Sequence, residues 1–256
     1  MANHWDIYSA RLGGKGVTKR DLVLTRAQRH FAAKLPNSLS YHDVLCDGVP
    51  RNMAIINTQN LDIKQLCSMP GEDITHGSMI NWEDNNWLVV ERDANNEVYT
   101  RAMMRQCNYL LRWIDNGEII ERWCIIEDGT KYMAGEQYNN EYVMTTGDSR
   151  IAVIISKDEY TARLNRTSRF IIDDFDSAEP LAYRLTKPLK MGGVYNGEGV
   201  FKFVLSECNR EDDDNFDLHI ADYYKVFPRE NTPTVEEPPA EDGTEPPAEE
   251  KRKVWI

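Results

Sequence analysis

The chain has 256 residues, 41% of them hydrophobic, and this length suits one large domain or two small ones. No apolar run approaches the roughly 20 residues of a membrane helix, and we expect no signal peptide, because the first residues lack a basic start followed by an apolar stretch. The formal net charge of −12 argues against nucleic-acid binding by the chain as a whole, which normally requires a basic footprint.

Residues 1–35 differ from the rest in charge, with seven basic side chains against two acidic ones. Thr18 followed by Asp21 is typical of a helix start, because the hydroxyl can accept from an early backbone N–H while the carboxylate faces the positive end of the helix dipole. Apolar or long side chains then recur at helical spacing until Pro36. The pattern predicts one amphipathic helix over 18–35 within a basic N-terminal arm, residues 1–36. The glycine-rich residues 13–16 lack the spacing of a phosphate-binding loop and are interpreted as a linker.

After Pro36 the pattern becomes that of β-strands. Asp47-Gly48 and Asn116-Gly117 each separate two apolar runs, and such dipeptides tolerate the positive φ angles of tight hairpin turns. These and neighbouring runs predict a β-barrel-like module over 37–140. Its expected strands lie at 41–46, 51–56, 79–82, 87–92, 97–104, 107–113 and 118–126.

A second series of short strands predicts another β domain over 141–228. Strands at this rhythm, without helical periods between them, indicate a sandwich or a barrel. They are expected at 151–156, 160–164, 169–172, 181–185, 199–205 and 216–220. Residues 229–256 are predicted to form an extended, acidic, proline-rich tail, because they cannot bury enough apolar surface to fold. The last six residues differ in composition, with three basic side chains followed by three apolar ones.

Little in the sequence points to catalysis. The five cysteines form no CxxC pair and the five histidines are scattered, so we expect core thiols in a reducing compartment and no metal site. The acidic runs at 173–176 and 211–217 fit solvated turns, or a weak surface calcium site, because neither has the spacing of an EF-hand loop. No nucleophile signature occurs. We therefore expect neither enzymatic activity nor a cofactor.

Two populations of side chains are candidates for contacts. The tryptophans of the first β series fit core packing or a contact surface. The basic arm fits a solvated helix face, an arm docking on an acidic neighbour, or a contact with packaged nucleic acid. The candidate partner-binding residues are Arg11, Arg20, Arg26, Arg29 and, at the end of the tail, Trp255.

The first β series also resembles a known family. Residues 79–90 (MINWEDNNWLVV), 96–99 (NEVY) and 106–113 (QCNYLLRW) resemble a progression found in structural proteins of tailed phages and prophages. Residues 180–187, 200–205 and 220–224 are similar to the second, immunoglobulin-like β domain of those proteins. The resemblance covers roughly residues 40–225.

This resemblance implies a mainly β chain. The expected order is an N-terminal helix, a small β-barrel-like module, an immunoglobulin-like β-sandwich and a disordered or extended tail. It also implies a virion protein of the head-closure or connector kind at the head–tail junction, assembled in the host cytoplasm. Expected partners are copies of itself in a ring, a portal or adaptor protein, tail proteins and, through the arm, packaged DNA, with no membrane.

An alternative function keeps the same architecture. The second domain could be a module that binds carbohydrate or a host-surface protein, which requires exposed aromatic side chains on its loops. The candidates for that surface are Tyr195, Phe216, Tyr223 and Tyr224.

Overall fold

A computed structural model describes residues 18–128, 150–173 and 180–229, together with Trp5 and Tyr8. The described chain is mainly β, as predicted, with an N-terminal helix and two barrel-like sheets. Among these residues, no helix combines the length and apolar character that a membrane span requires.

The N-terminal helix α1 spans Lys19–Lys34, which confirms the prediction from residues 18–35. Its first turn is closed by a capping box: the Thr18 hydroxyl accepts from the Asp21 backbone N–H, and the Asp21 carboxylate accepts from the Thr18 N–H. A short 3₁₀ turn, Leu35–Asn37, carries the chain from the helix into the first strand.

Six strands close into the first barrel, with the order β1-β2-β3-β6-β5-β4 and with β1 paired to β4. They are β1 (Tyr41–Cys46), β2 (Val49–Asn57), β3 (Ile63–Ser68), β4 (Met79–Trp82), β5 (Asn85–Arg92) and β6 (Arg101–Gln106). Alternate side chains point inward, as a barrel requires, so that Met53, Leu66 and Met104 are fully buried.

A second antiparallel sheet has the order β10-β11-β13-β9-β8-β7, with the short β12 paired to β13. Its strands are β7 (Tyr109–Asp115), β8 (Glu118–Asp128), β9 (Arg150–Ser156), β10 (Arg169–Ile172), β11 (Leu181–Leu189), β12 (Val194–Tyr195) and β13 (Glu198–Cys208). The sheet curls until its two outer strands meet, where the Tyr109 hydroxyl donates to the Ile171 carbonyl oxygen at 3.4 Å. It is one curled sheet around one core, so the expectation of an immunoglobulin-like sandwich is not confirmed.

The division between the sheets falls between β6 and β7. The hairpin of β7 and β8, which the sequence placed with the first module, pairs through β8 with β9. Both predicted tight turns are present: Asp47-Gly48 and Asn116-Gly117 have positive φ at both positions, as a type I′ turn needs.

Two predicted strands are wrong. Residues 160–164 lie in a short helix, α2 (Glu159–Arg163), because the Asp158 carboxylate accepts from the Thr161 N–H and starts a helical turn. Residues 216–220 form turns closed by one bridge between Asn215 and Ile220, followed by the one-turn helix α3 (Tyr223–Val226). Strand β3 was not predicted, because its polar residues Lys64 and Gln65 break the apolar run.

The two barrels share a small apolar core. Leu88 of the first barrel packs with Ile125, Ile154 and Val200 of the second, and Cys107 in the connection joins them. At its edge the backbones touch: a Cβ placed on Gly77 would lie 2.1 Å from the Gly199 carbonyl oxygen. This junction therefore depends on glycine.

Candidate partner-binding surface

Helix α1 is held on the first barrel by one acidic residue. Both oxygens of Glu97 accept from Arg20 Nη2, at 2.6 and 2.7 Å, and the Glu97 backbone oxygen accepts from Gln28 Nε2 at 2.9 Å. The hydrogen bonds to Glu97 raise the pKa of Arg20 above its ordinary value. Arg20, one of the proposed partner-binding residues, therefore makes an intramolecular ion pair, while its side chain remains 70% exposed.

The loop before β6 presents Glu97 in this position. The Asn96 side chain accepts from the backbone N–H groups of Val98 and Tyr99, at 3.0 and 3.4 Å, which folds the loop back on itself. The Tyr99 ring then stacks on Phe31 of α1, with centroids 4.1 Å apart and planes at 6°. Glu97 and Tyr99 are therefore the residues that orient α1.

The end of α1 is fixed by apolar packing. Leu35 is buried against Ala54 of β2 and Cys67 of β3, and Phe31 packs at the edge of the same cluster. The helical spacing of Leu24, Gln28, Phe31 and Leu35 was read correctly, since these side chains share the face that meets the barrel. The helix orientation then decides which cations face outward.

Arg26 and Arg29 lie on the outward face of α1. Both side chains are exposed, and neither has a hydrogen bond, ion pair or ring contact within the described residues. Lys19 and Lys34 are exposed in the same way at the two ends of the helix. We call Lys19, Arg26, Arg29 and Lys34 the basic face of α1. Of the other proposed contact residues, Arg11 and Trp255 lie outside the described residues.

Beside this basic face runs an apolar groove of about 510 Å³ between α1 and the loop that carries Glu97. Val23 and Ala27 of the helix and Val98 of the loop line it, and Val23 is 62% exposed. The Arg20–Glu97 pair lies along the groove. A cationic face next to an apolar groove can bind an acidic segment that also carries small apolar side chains.

The acidic run at 211–217 is neither a fully solvated turn nor a calcium site. Asp214 is buried and accepts from both terminal nitrogens of Arg169, at 3.0 and 2.8 Å, while Asp222 accepts from the same guanidinium at 3.0 Å. Burial alone would lower the pKa of Arg169, but the hydrogen bonds to Asp214 raise it above its ordinary value. The run therefore fastens the 209–222 segment to β10. Among the described residues, no group of acidic, histidine and cysteine side chains has the arrangement of a metal site.

The second barrel has a concave pocket of about 490 Å³ near this clamp. Three cations line it, and each already has carboxylate partners: Arg163 pairs with Asp115, Arg169 with Asp214, and Lys225 with Asp222 and Glu211. The positive charges that line the pocket are thus already balanced by carboxylates of the same chain.

The tryptophans divide between core and surface. Trp87 and Trp113 are buried and Trp82 is partly buried against the first core, as expected of core residues. Trp123 is 38% exposed on the outer side of β8. The four aromatic residues considered for a binding module do not form one exposed cluster. Tyr223 and Tyr224 pack on each other, Phe216 lies under Arg210, and Tyr195, 66% exposed, packs its edge on His76 of the first barrel.

The structure shows three contacts that the sequence analysis missed: the ion pair of Arg20 with Glu97, the stacking of Tyr99 on Phe31 and the pairing of Arg169 with Asp214. The contacts join residues 77, 68 and 45 positions apart, and no local pattern marks them. For the two ion pairs the available signal was opposite charge, which many other pairs share, and for the stacked rings it was aromatic character alone.

Part of the chain is similar to a known protein family. Residues 20–106 match the model of the YomX N-terminal domain, a family of phage and prophage type, and this supports a phage-related protein. The matched segment begins in α1 and ends at the last residue of β6, so it comprises the helix and the first barrel. No curated protein and no solved structure shows significant similarity to the chain.

Proposed function

We propose that this chain is a structural component of a phage-related virion, located at the head–tail junction as a head-closure or connector protein. The observation that carries the proposal is that the phage-type match spans α1 together with the barrel that holds it. In that unit the helix is fixed by Glu97 and Tyr99, and its basic face points away from the barrel. The role proposed is structural rather than enzymatic.

A ring of identical subunits is the assembly this architecture would serve. Ring contacts are heterologous, so one surface of each subunit must complement a different surface of the next. The basic face of α1 supplies one such surface, and a chain with net charge −12 offers many acidic ones. Neighbouring copies, a portal or adaptor protein and tail proteins are the proposed partners, and the virion, assembled in the host cytoplasm, is the proposed location.

The rigidity of the module supports the same proposal. The barrel is closed, so it exposes no unpaired strand edge, and the bidentate Arg20–Glu97 pair and the stacked Tyr99 set the helix direction. A fixed helix loses little conformational entropy when a partner binds. The binding-module alternative has less support, because its four aromatic residues do not form one exposed cluster and each contacts another side chain of the chain.

Electron microscopy of particles tests the location. Antibody against this chain, labelled with gold, should mark the neck of tailed particles from the source. Label at the tail tip or on the capsid surface would favour the binding module instead. Absence of the chain from particles would refute a virion role.

Charge reversal tests the surface. Arg26→Glu combined with Arg29→Glu should abolish incorporation into particles while the purified variant keeps the native circular dichroism spectrum, because both side chains are exposed. The matched control is Arg166→Glu with Arg184→Glu, two exposed arginines of the second barrel without a partner in the described residues. Incorporation of the α1 variant at the level of the control would show that the basic face is not the docking surface.

A further inference from the structure

The basic face of α1 groups four cations that have no partner in the part of the chain that the structure describes. Elsewhere in the described residues most arginines are held by carboxylates or carbonyl oxygens, as Arg105 is by Glu127 and Arg122 by Asp158. The four cations of the basic face have no such partner there. Successive members of the face are separated by about 10, 5 and 8 Å of helix rise, which is close to or below the Debye length at physiological salt, so the fields of neighbouring cations overlap.

The same chain contains a segment of matching opposite charge. Residues 230–250 carry eight carboxylates and no lysine or arginine. Their other residues are mainly proline, threonine and alanine with one valine, Val235, which are small enough for the groove beside the basic face. This composition is the one that a cationic helix with an apolar groove would bind.

We propose that residues 230–250 dock on the basic face of α1 in the same molecule. A stretch of 21 residues spans at most about 70 Å. A compact body of about 200 residues measures roughly 40–45 Å across, so the segment that follows Arg229 can reach α1 from the second barrel. Tethering gives the segment an effective concentration near the millimolar range, which favours contact within one chain over contact between chains in dilute solution.

Nucleic acid fits the basic face less well. A polyanion must approach the whole chain, whose net charge is −12, whereas the acidic segment is already attached to it. The basic face also holds only four cations along 16 residues of helix, so it offers few phosphate contacts. The proposed occupant is therefore the chain's own acidic segment.

This contact goes beyond the proposed function, because it means that the basic face is occupied by the acidic segment before a partner binds it. In the isolated chain the acidic segment would cover the face, and an acidic partner surface presented during assembly would have to displace it. Such a cover would suppress premature association and would weaken as salt rises, because the contact is between exposed charges.

Zero-length carbodiimide cross-linking of the full chain, read by mass spectrometry, tests the proposal. Carboxylates of residues 230–250 should join Lys19 and Lys34 at least about threefold more than Lys187, an exposed amine of the second barrel with no partner in the described residues. The preference should fall at 1 M salt. An equal mixture of ¹⁴N and ¹⁵N protein should give cross-links within one isotope only.

The variants used for particle incorporation sharpen this test. Arg26→Glu with Arg29→Glu should remove the preference for Lys19 and Lys34, and the control pair on the second barrel should keep it. Cross-links spread evenly over exposed lysines, or links that mix the two isotopes, would overturn the proposal. Since the cross-links are read on the isolated chain, this result does not depend on whether particles contain the protein.

Discussion

Substitution of Gly77 by alanine tests the junction between the two barrels. Gly77 has φ of +92°, and a Cβ there would lie 2.1 Å from the carbonyl oxygen of Gly199, a backbone atom that cannot rotate away. Gly71 provides a matched control, because its φ is +89° and a Cβ there would meet nothing within 4 Å. Both variants therefore carry the same backbone cost, about 1–2 kcal/mol, and only Gly77→Ala carries the clash.

The additional loss of stability in Gly77→Ala comes from the contacts that must be broken to relieve the clash. Relief of the clash must either separate the barrels, where Ser156 Oγ donates to the Gly77 oxygen at 2.7 Å, or shift the Gly199 carbonyl, which accepts from the Lys157 N–H at 2.9 Å within the second barrel. Each of these bonds is worth about 1 kcal/mol, and overpacking adds about 1–3 kcal/mol. We therefore expect Gly77→Ala to lower the free energy of unfolding by about 3 kcal/mol more than Gly71→Ala, which is about 6–12 °C in Tm for a chain of this size.

Thermal melts followed by tryptophan fluorescence and circular dichroism measure this difference. The two variants and the unsubstituted chain should be compared at one protein concentration and one pH. Equal losses of Tm in both variants would refute the reasoning, because they would show that the close approach of Gly77 to Gly199 does not hold the barrels together.

Three further predictions concern buried charge, pH and thiols. Asp214→Asn should lower the free energy of unfolding in urea by about 2–3 kcal/mol, because it removes the buried carboxylate and leaves Arg169 only the more exposed carboxylates of Asp222 and Glu211. Asp217→Asn, at an exposed carboxylate of the same run, should be neutral, and equal effects of the two substitutions would contradict the clamp. Burial raises the pKa of Asp158, but its hydrogen bonds outweigh this and leave the pKa below its ordinary value. The stability that Asp158 contributes is thus complete above about pH 4 and is lost as the pH falls through the folded-state pKa. The difference in Tm between the unsubstituted chain and Asp158→Asn should therefore disappear in acid. A difference in Tm that stays constant with pH would refute this prediction. Finally, Cys208 should react with a thiol reagent at pH 8 well before the other four cysteines, because those four are buried. Burial also raises the pKa of Cys107 to about 12, which disfavours its reactive thiolate. Simultaneous reaction of all five thiols would contradict this burial.

Local patterns in the sequence predicted the local structure well. The capping residues Thr18 and Asp21 and the helical spacing up to Leu35 gave α1 within one residue at each end. The Asp-Gly and Asn-Gly dipeptides gave both hairpin turns, because few other residues adopt positive φ at low cost. Where the pattern failed, a local hydrogen bond outweighed it, as the Asp158 cap does in placing most of the predicted strand 160–164 in the helix Glu159–Arg163.

The sequence by itself thus determined the mainly β character, the helix, the tight turns and which side chains face inward, since these depend on neighbours in the chain. Only the tertiary structure decided which strands pair, so that the hairpin of β7 and β8 joins the second sheet. It also decided which of the proposed contact residues have a partner within the described chain, because Arg20 pairs with Glu97 whereas Arg26 and Arg29 are exposed without one. The physical reason is that periodicity specifies which face of an element is buried, whereas the partner of that face, and of each charge on it, is fixed by contacts between residues far apart in the chain.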